Sequence, residues 1–259
     1  MHSDWLVPRW PAPARVHALC TTRVGGTSAG PFDSLNLGDH VGDRPGDVAA
    51  NRSLLARATG VRPVFLSQVH GSEVLSASAV TLDGARADGC VTREPGVACT
   101  VMVADCLPVL LTTLQGDVVA AAHAGWRGLA GRDGYGIVES VVRSIMLATP
   151  VNKAQAAPEI IAWLGPCIGP QAFEVGAEVR DAFVRHDAAA QAMFAAHGTG
   201  KWLADLAGLA RARLAAAGVR QVFGNDGSPD WCTLANPLRY FSHRRDRISG
   251  RLGACIWMA

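Results

Sequence analysis

The chain has 259 residues, of which 49% are hydrophobic and only 18% are charged. This composition excludes an intrinsically disordered protein and provides enough apolar side chains for a large buried core. The net charge is +2 at pH 7 and no lysine-rich block is present, which argues against nucleic acid as a partner. No apolar run approaches the roughly 20 residues of a membrane-spanning helix, so the sequence also argues against a membrane partner.

Cysteine usage and the amino-terminal residues indicate the cellular compartment. The chain contains seven cysteines without CxxC spacing, and a protein of this size does not need disulfides to fold. Trp5, Pro8, Trp10 and Pro11 interrupt the segment where a secretory signal would carry a continuous apolar stretch. We therefore expect a cytoplasmic protein.

The first half of the chain is predicted to form strands and one helix. Asp47 is a candidate cap at the start of this helix, and Gly60 is a candidate stop just after its end. His70 and His123 each follow directly after a predicted strand. In chain order, the predicted elements are a strand over 16–21, a helix over 47–59 and strands over 64–69, 97–104, 109–113 and 118–122.

The second half mixes helices and strands in the same way. The predicted elements are a helix over 137–146, a strand over 160–164, helices over 175–185 and 202–217, and strands over 221–223 and 253–258. The segment Ala148 to Pro158 is rich in Ala and Pro, but the strands on both sides of it are expected to share one core. We predict a mixed α/β fold of the α+β class, with mixed β-sheets flanked by helices in one compact domain over 1–259.

Three residues stand where predicted strands give way to loops: His70, Cys106 and His123. A hairpin turn at 115–117 is expected to bring Cys106 close to His123. Two imidazoles and one thiolate suit Zn²⁺, and three protein ligands leave one coordination position for water or substrate. The trio therefore predicts a catalytic zinc site, with copper as the second metal that this donor set suits.

Several short motifs surround these residues: Thr21-Thr22-Arg23-x-Gly25-Gly26, Asn36-Leu37-Gly38, Gln68-Val69-His70-Gly71, Ala87-Asp88-Gly89, Ala104-Asp105-Cys106-x-Pro108-Val109, His123-Ala124-Gly125-Trp126-Arg127-Gly128, Gly165-Pro166-x-Ile168-Gly169 and Arg244-Arg245-Asp246. In order and over nearly the whole chain, they resemble the bacterial laccase-domain family. This family is also called the multicopper polyphenol oxidase or purine nucleoside phosphorylase family.

The resemblance implies a compact mixed α/β fold and a zinc site built from His70, Cys106 and His123. It also implies phosphorolysis of adenosine, inosine, guanosine and methylthioadenosine to free base and ribose 1-phosphate, with adenosine deamination in addition. The expected partners are therefore small molecules, a purine nucleoside and phosphate. Members of the family have also been assigned copper-dependent phenol oxidation and the editing of peptidoglycan precursors.

Phosphorolysis needs cationic groups that hold phosphate while positive charge builds on the ribose. Arg127 is the first candidate, and Arg23 and Arg245 lie in matching motifs, although a surface ion pair remains open for each of them. Asp105 is a candidate for proton transfer or for support of the metal ligands. Asn36 is a candidate contact for a ribose hydroxyl, with capping of its own loop as the alternative.

The same residues bear on two other activities. Deamination would use a carboxylate such as Asp105 or Asp88, but the H-x-E and P-C-x-x-C elements of zinc nucleobase deaminases are absent. Copper-dependent polyphenol oxidation would need further histidine clusters, and Met102 is the only nearby candidate for an axial ligand. A laccase activity is therefore discounted.

Two further alternatives change the role of the trio itself. Cys106 and His123 could act as nucleophile and base of a cysteine hydrolase that cleaves an amide in a peptidoglycan precursor. A non-enzymatic binding module stabilised by zinc is weaker, because structural zinc sites normally have four protein ligands. The preferred nucleoside, the metal in the cell and the oligomeric state stay open at this point.

Overall fold

A computed structural model describes residues 2–149 and 157–259. Its strands are β1 Val16–Cys20, β2 Arg62–Val64, β3 Leu66–Ser67, β4 Val74–Ser76, β5 Ala85–Arg86, β6 Gly89–Thr92, β7 Val97–Val103, β8 Leu107–Thr113, β9 Val119–Ala124, β10 Ile160–Leu164, β11 Glu174–Gly176, β12 Phe194–Ala196, β13 Lys201–Ala204, β14 Gln221–Gly224 and β15 Leu252–Met258. The α-helices are α1 Pro45–Thr59, α2 Trp126–Ala130, α3 Ile137–Ala148, α4 Ala177–Val184, α5 Leu206–Ala216 and α6 His243–Asp246. Short 3-10 helices cover Gly30–Phe32, Ala188–Met193 and Pro229–Trp231.

Two mixed sheets form the centre of the fold. The four-stranded sheet has the order β1-β15-β7-β2, in which only the β7–β2 pair is parallel. The six-stranded sheet has the order β14-β10-β8-β9-β6-β4, with parallel pairs at both edges and antiparallel pairs between them. The candidate site lies at the ends of central antiparallel strands of these sheets, namely β7, β8 and β9.

The core consists of two sheets packed face to face with helices on their outer faces. Val101 and Ile256 of the four-stranded sheet share an apolar cluster with Leu110 and Trp163 of the six-stranded sheet. The alternate residues of the six-stranded sheet pack on α3 and α5 in a second cluster, and those of the four-stranded sheet pack on α1 in a third. This arrangement explains why β7, β8, β9 and β10 are buried along their whole length.

Several sequence-based predictions agree closely with these bounds. The strand over 160–164 is found as predicted, and the helix predicted over 137–146 ends two residues later. Gly60 ends α1 in a left-handed conformation, with φ of 72°, as its position predicts. The cap is wrong, because α1 begins at Pro45 and Asp47 lies inside its first turn.

Other predicted boundaries are corrected by long-range pairing. The segments that begin at Val175 and Trp202 are strands before they become helices, and these two residues are register partners in β11 and β13. Helix α5 starts later, where the side chain of Asp205 accepts a hydrogen bond from Gly208 N at 2.8 Å. The strand predicted over 64–69 is divided into β2 and β3.

The strands on either side of Cys106 belong to different sheets. β7 ends in the four-stranded sheet and β8 begins in the six-stranded sheet, so the chain crosses between them at residues 104–106. Asp105 makes this turn possible with a φ of 90°. The crossing holds Cys106 at the edge where both sheets meet the candidate site.

The mixed α/β fold class is confirmed. The assignment of 1–259 to one domain stays a prediction, and residues 150–156 of the Ala- and Pro-rich segment lie outside the described residues. Within residues 2–149 and 157–259, no helix is both long and apolar enough to span a bilayer.

Candidate active site

Three elements bring the predicted metal ligands together. Cys106 lies at the crossing before β8, His123 lies in β9 opposite Pro108, and His70 lies in the loop after β3. The ligating atoms of the three side chains all lie within 4.8 Å of one another. Cys106 Sγ is 3.7 Å from His70 Nε2, and the two imidazole rings meet edge to face with centroids 4.8 Å apart.

This close approach requires a glycine beside the trio. A Cβ atom on Gly125 would lie 2.8 Å from Cδ2 of His70 and 2.9 Å from Sγ of Cys106. Both distances are well below van der Waals contact, and neither partner can move without displacing the site. Gly125 is therefore part of the architecture that lets His70 and Cys106 face each other.

A buried carboxylate connects the two histidines. Oδ1 of Asp88 accepts hydrogen bonds from Nδ1 of His123 at 2.8 Å and from the backbone N–H of His70 at 2.9 Å. Its Oδ2 accepts hydrogen bonds from the N–H groups of Val69 and Gly71 at 3.1 and 2.7 Å. Because Nδ1 of His123 donates to Asp88, His123 carries its lone pair on Nε2 whenever the ring is neutral, as in a metal complex.

The thiol and the imidazole shift each other's ionisation. Burial disfavours the thiolate of Cys106, but the positive charge of His123 and hydrogen bonds from His123 and His70 outweigh it and lower the pKa of Cys106 to about 6. Burial also disfavours charge on His123, but the Cys106 thiolate and the hydrogen bond to Asp88 raise the pKa of His123 to about 9. Without metal, Cys106 and His123 therefore form a thiolate–imidazolium pair near neutral pH.

This pair predicts an unusual pH profile for alkylation of the metal-free protein. Because only the thiolate reacts, we expect the rate of Cys106 carbamidomethylation by iodoacetamide to reach half its maximum near a pH of about 6. The rate should rise with pH through that value and then stay level. Mass-spectrometric peptide mapping against pH measures it. A midpoint at the ordinary cysteine pKa, about 8.5, would contradict the pair.

The donor set fits a metal ion of the zinc type. Two imidazole nitrogens and one thiolate sulphur are ligands that Zn²⁺ prefers, and the orientation of His123 is held by a carboxylate as in many zinc sites. In the part of the chain that the structure describes, no fourth His, Cys, Asp or Glu joins the group. The same described residues contain no second such group, as a multicopper centre would require.

A cavity of about 470 Å³ is lined by the trio and by cationic side chains. Its apolar lining includes Met102, Trp126, Ile168 and Phe173. Arginine side chains supply the positive charge, and two further imidazoles add to the polar lining: Arg127, Arg244, Arg247 and Arg251, with His40 and His243. The cavity can therefore hold a drug-sized ligand with an apolar part and an anionic part.

Arg127 lies in this cavity as the sequence predicts. Its guanidinium lies 4.5 Å above the ring of Trp126, and no hydrogen bond from its side chain to the described residues is found. Arg127 is therefore able to bind an anion. Asp105 also lines the cavity, but both of its oxygens are engaged, Oδ1 by the Thr233 hydroxyl and Oδ2 by the backbone N–H of Arg244, each at 2.6 Å.

The three predicted substrate contacts do not line the cavity. Arg23 donates to the carbonyls of Asp33 and Pro237, at 2.8 and 2.9 Å. Arg245 donates to the carbonyls of Thr233, Leu234 and Tyr240 and pairs with Asp246. Both guanidinium groups hold loops in this way, and their assignment to phosphate stays a prediction.

Asn36 also serves its loop rather than the cavity. Its side chain is fully buried, donates to Gly38 O and Asp43 Oδ2, and accepts hydrogen bonds from Gly38 N and Arg251 N. All hydrogen-bonding capacity of this amide is satisfied within the protein. These contacts favour the alternative of loop capping, and ribose binding by Asn36 stays a prediction.

Two features of the site involve residues whose roles the sequence does not indicate. In the sequence Asp88 is only a candidate for proton transfer, whereas in the structure it holds both histidines. Arg244, Arg247 and Arg251 line the cavity, and the signal for them is the local arginine cluster near the carboxyl end of the chain. Arg251 lines the same cavity as Cys106 and Asp105; burial lowers the pKa of Arg251, while the charges of these two residues oppose the shift.

Comparison with known proteins places this site in a family. The model of the family described as multi-copper polyphenol oxidoreductase laccase matches residues 17–259. The chain belongs to this family. The resemblance inferred from the motifs is therefore confirmed, although the family description names a chemistry for which the described residues provide one metal-ligand group only.

Individual members of the laccase family are similar over almost the full length. Purine nucleoside phosphorylase YfiH of Escherichia coli K12 is 48% identical over 258 residues, which is 99% of each chain. Purine nucleoside phosphorylase PA4543 of Pseudomonas aeruginosa is 48% identical over 98% of each chain. The crystal structure of Neisseria meningitidis protein NMB0706 covers 99% of both chains with a TM-score of 0.87 and 42% identity. This extent of similarity to named enzymes identifies the present chain as an enzyme.

Proposed function

We propose that the protein is a zinc-dependent purine nucleoside phosphorylase. The observation that carries the proposal is the His70, Cys106 and His123 group inside a cavity lined by arginines. The names of relatives that are 48% identical over the whole chain support the same activity. The substrates are expected to be adenosine, inosine, guanosine and methylthioadenosine, together with inorganic phosphate.

In phosphorolysis a phosphate oxygen forms a bond to the anomeric carbon while the bond from that carbon to the base nitrogen breaks. The electron pair of the broken bond goes to the base, which then takes up a proton. His70, Cys106 and His123 would hold the zinc ion, which would supply a Lewis acid able to polarise a substrate oxygen or a water molecule. Everything else in the reaction depends on how the side chains of the cavity hold the two substrates.

Arg127 is the residue that we assign to phosphate. Its guanidinium is positioned by Trp126 and keeps its N–H groups for a ligand, and planar guanidinium groups bind phosphate in a bidentate manner. Arg247 is the second candidate, because it lines the same cavity and no side-chain hydrogen bond to the described residues is found for it. Together they would neutralise the phosphate and hold it facing the ribose.

Asp105 is assigned a supporting role. Its two oxygens hold Thr233 and the backbone of Arg244, so the carboxylate fixes the segment that carries the cavity arginines. A carboxylate with both oxygens engaged in this way is a poor acceptor for a substrate proton. Proton transfer by Asp105, which the sequence leaves open, is therefore not part of the proposal.

The apolar side of the cavity suits the purine base. Trp126 and Phe173 provide aromatic surface on which a base can stack, and Ile168 closes the lining between the polar groups. The cavity volume of about 470 Å³ lies in the range of sites for small organic ligands.

The seven cysteines are all free thiols, which supports a reducing compartment such as the cytoplasm.

One arrangement favours a second candidate function. Cys106, His123 and Asp88 are ordered as nucleophile, base and orienting carboxylate, with the Nδ1–H of His123 donating to Asp88 at 2.8 Å. Without metal, this arrangement suits a cysteine hydrolase that cleaves an amide such as that of a peptidoglycan precursor. Such an enzyme would survive a chelator and be inactivated by alkylation of Cys106.

The proposal is tested with protein whose zinc content has been measured, by separating the products of its reaction with nucleosides. Adenosine and inosine are incubated with and without phosphate, and chromatography resolves free base, ribose 1-phosphate and deaminated nucleoside. We expect base and ribose 1-phosphate in equal amounts, and only when phosphate is present. Absence of base release from protein that contains one equivalent of zinc would refute the proposal, and turnover of an amide substrate after chelation would support the hydrolase instead.

A further inference from the structure

The carboxylate of Asp88 lies behind the candidate metal ligands and contacts two of them. We propose that Asp88 is a positioning residue that holds His70 and His123 in the geometry needed to bind the metal. The inference rests on the proposed function only for the kind of metal, because the contacts are those of the protein alone. It assigns Asp88 no contact with the substrate.

The loop that carries His70 is built around the carboxylate of Asp88. Three successive backbone N–H groups, those of Val69, His70 and Gly71, converge on the Asp88 carboxylate at 3.1, 2.9 and 2.7 Å. His70 has a φ of 60°, a left-handed conformation that non-glycine residues rarely adopt. A concave run of N–H groups of this kind needs an anion at its centre. Asp88 provides that anion and so compensates the strained backbone of His70.

Asp88 also accepts two hydrogen bonds from His123. The backbone N–H of His123 donates to Asp88 O at 2.8 Å, and its Nδ1–H donates to Asp88 Oδ1 at 2.8 Å. Asp88 is completely buried and His123 almost so. The side-chain hydrogen bond therefore fixes both the tautomer and the ring orientation of His123, and Nε2 is the nitrogen left for a metal.

One oxygen of Asp88 accepts hydrogen bonds from both candidate ligand residues. Oδ1 of Asp88 accepts from His70 N and from His123 Nδ1, so a displacement of this atom moves both histidines together. An asparagine amide has nearly the same shape but only one acceptor oxygen, and its NH₂ group would face N–H donors. Asp88→Asn therefore keeps the volume of the side chain while it removes at least part of the network.

Asp43 offers a matched control outside the trio. Its carboxylate also organises a loop, because it accepts hydrogen bonds from the Ser28 hydroxyl at 2.7 Å, Asn36 Nδ2 at 2.9 Å and Arg44 N at 2.8 Å. Asp43 does not line the cavity that holds the trio. Asp43→Asn thus measures what the loss of a loop-organising carboxylate does to the protein in general.

The test measures zinc affinity by competition with a chromogenic chelator, together with the visible spectrum of the cobalt-substituted protein. We expect Asp88→Asn to bind zinc about 10- to 100-fold more weakly than the wild type and to change the cobalt ligand-field bands. Asp43→Asn is expected to keep the wild-type affinity and spectrum. If Asp88→Asn has native circular dichroism, wild-type zinc affinity and the wild-type cobalt spectrum, Asp88 is merely structural and the inference is overturned.

A measurement on the wild type covers the case in which Asp88→Asn does not fold. In zinc-loaded protein labelled with ¹⁵N-histidine, we expect one imidazole with a protonated, slowly exchanging Nδ1 and a metal-bound Nε2. Metal bound through Nδ1 of His123 would overturn the inference. Neither readout involves a nucleoside, so tight zinc binding that depends on Asp88 without any phosphorolysis would refute the proposed function alone.

Discussion

Cys106→Ala is expected to lower phosphate-dependent release of base by about a thousandfold or more and to reduce bound zinc to background. The thiolate is the only anionic ligand among the three, and its loss leaves two neutral imidazoles to hold the cation. A bound metal supplies several kcal/mol of transition-state stabilisation, and about 4 kcal/mol corresponds to a factor of roughly a thousand. The measurements are initial rates of base release and metal content by mass spectrometry.

Cys255→Ala is the control for this substitution. Cys255 is also a buried free thiol, but it lies in β15 and does not line the cavity. We expect this variant to keep both zinc and activity, although removal of a buried group lowers stability. A Cys106→Ala protein that retains wild-type base release at full zinc content would contradict the assigned role of the thiolate.

Arg127→Ala is expected to raise the KM for phosphate by roughly 10- to 100-fold while changing the KM for the nucleoside much less. The reason is the loss of a charge-assisted hydrogen-bonding partner, which contributes about 1.5–3 kcal/mol when the ligand is an anion. Steady-state kinetics with each substrate varied in turn measures both constants. Equal changes in both KM values would indicate a general disturbance of the cavity instead of phosphate binding.

The matched control for Arg127 is an arginine that the structure places on the surface. The side chain of Arg132 is 96% exposed and forms an ion pair with Asp133, whose side chain is 89% exposed. Because exposed pairs contribute little, Arg132→Ala should leave both KM values and the stability almost unchanged. A matching rise in the phosphate KM for Arg132→Ala would mean that overall charge, and not a contact in the cavity, controls phosphate binding.

What the sequence predicts well are features encoded over short distances along the chain. The helical spacing of Ile137, Val141 and Ile145 identifies α3, and the apolar run at 160–164 identifies β10 with its observed bounds. His70, Cys106 and His123 are predicted together because each follows an apolar run and belongs to a distinctive motif. The structure brings these three residues within reach of one ion.

The sequence predicts poorly those features that depend on residues far apart in the chain. The segments that begin at Val175 and Trp202 have the residue spacing of helices. Their first residues nevertheless form strands β11 and β13, in which Val175 and Trp202 are register partners. Arg23 and Arg245 lie in family motifs, but only the fold shows that backbone carbonyls engage their guanidinium groups. Asp88 and His123 are 35 positions apart, so their hydrogen bond has no local signature.

Phosphorolysis by this protein is expected to depend on one metal ion at the trio. The most direct measurement is a zinc titration of the metal-free protein, with inosine and phosphate present and base release followed at each step. We predict that activity rises in proportion to added zinc and reaches its maximum at one equivalent per chain, whereas Cys106→Ala stays inactive throughout. Full phosphate-dependent base release from the metal-free protein, or none at any zinc concentration, would contradict this account.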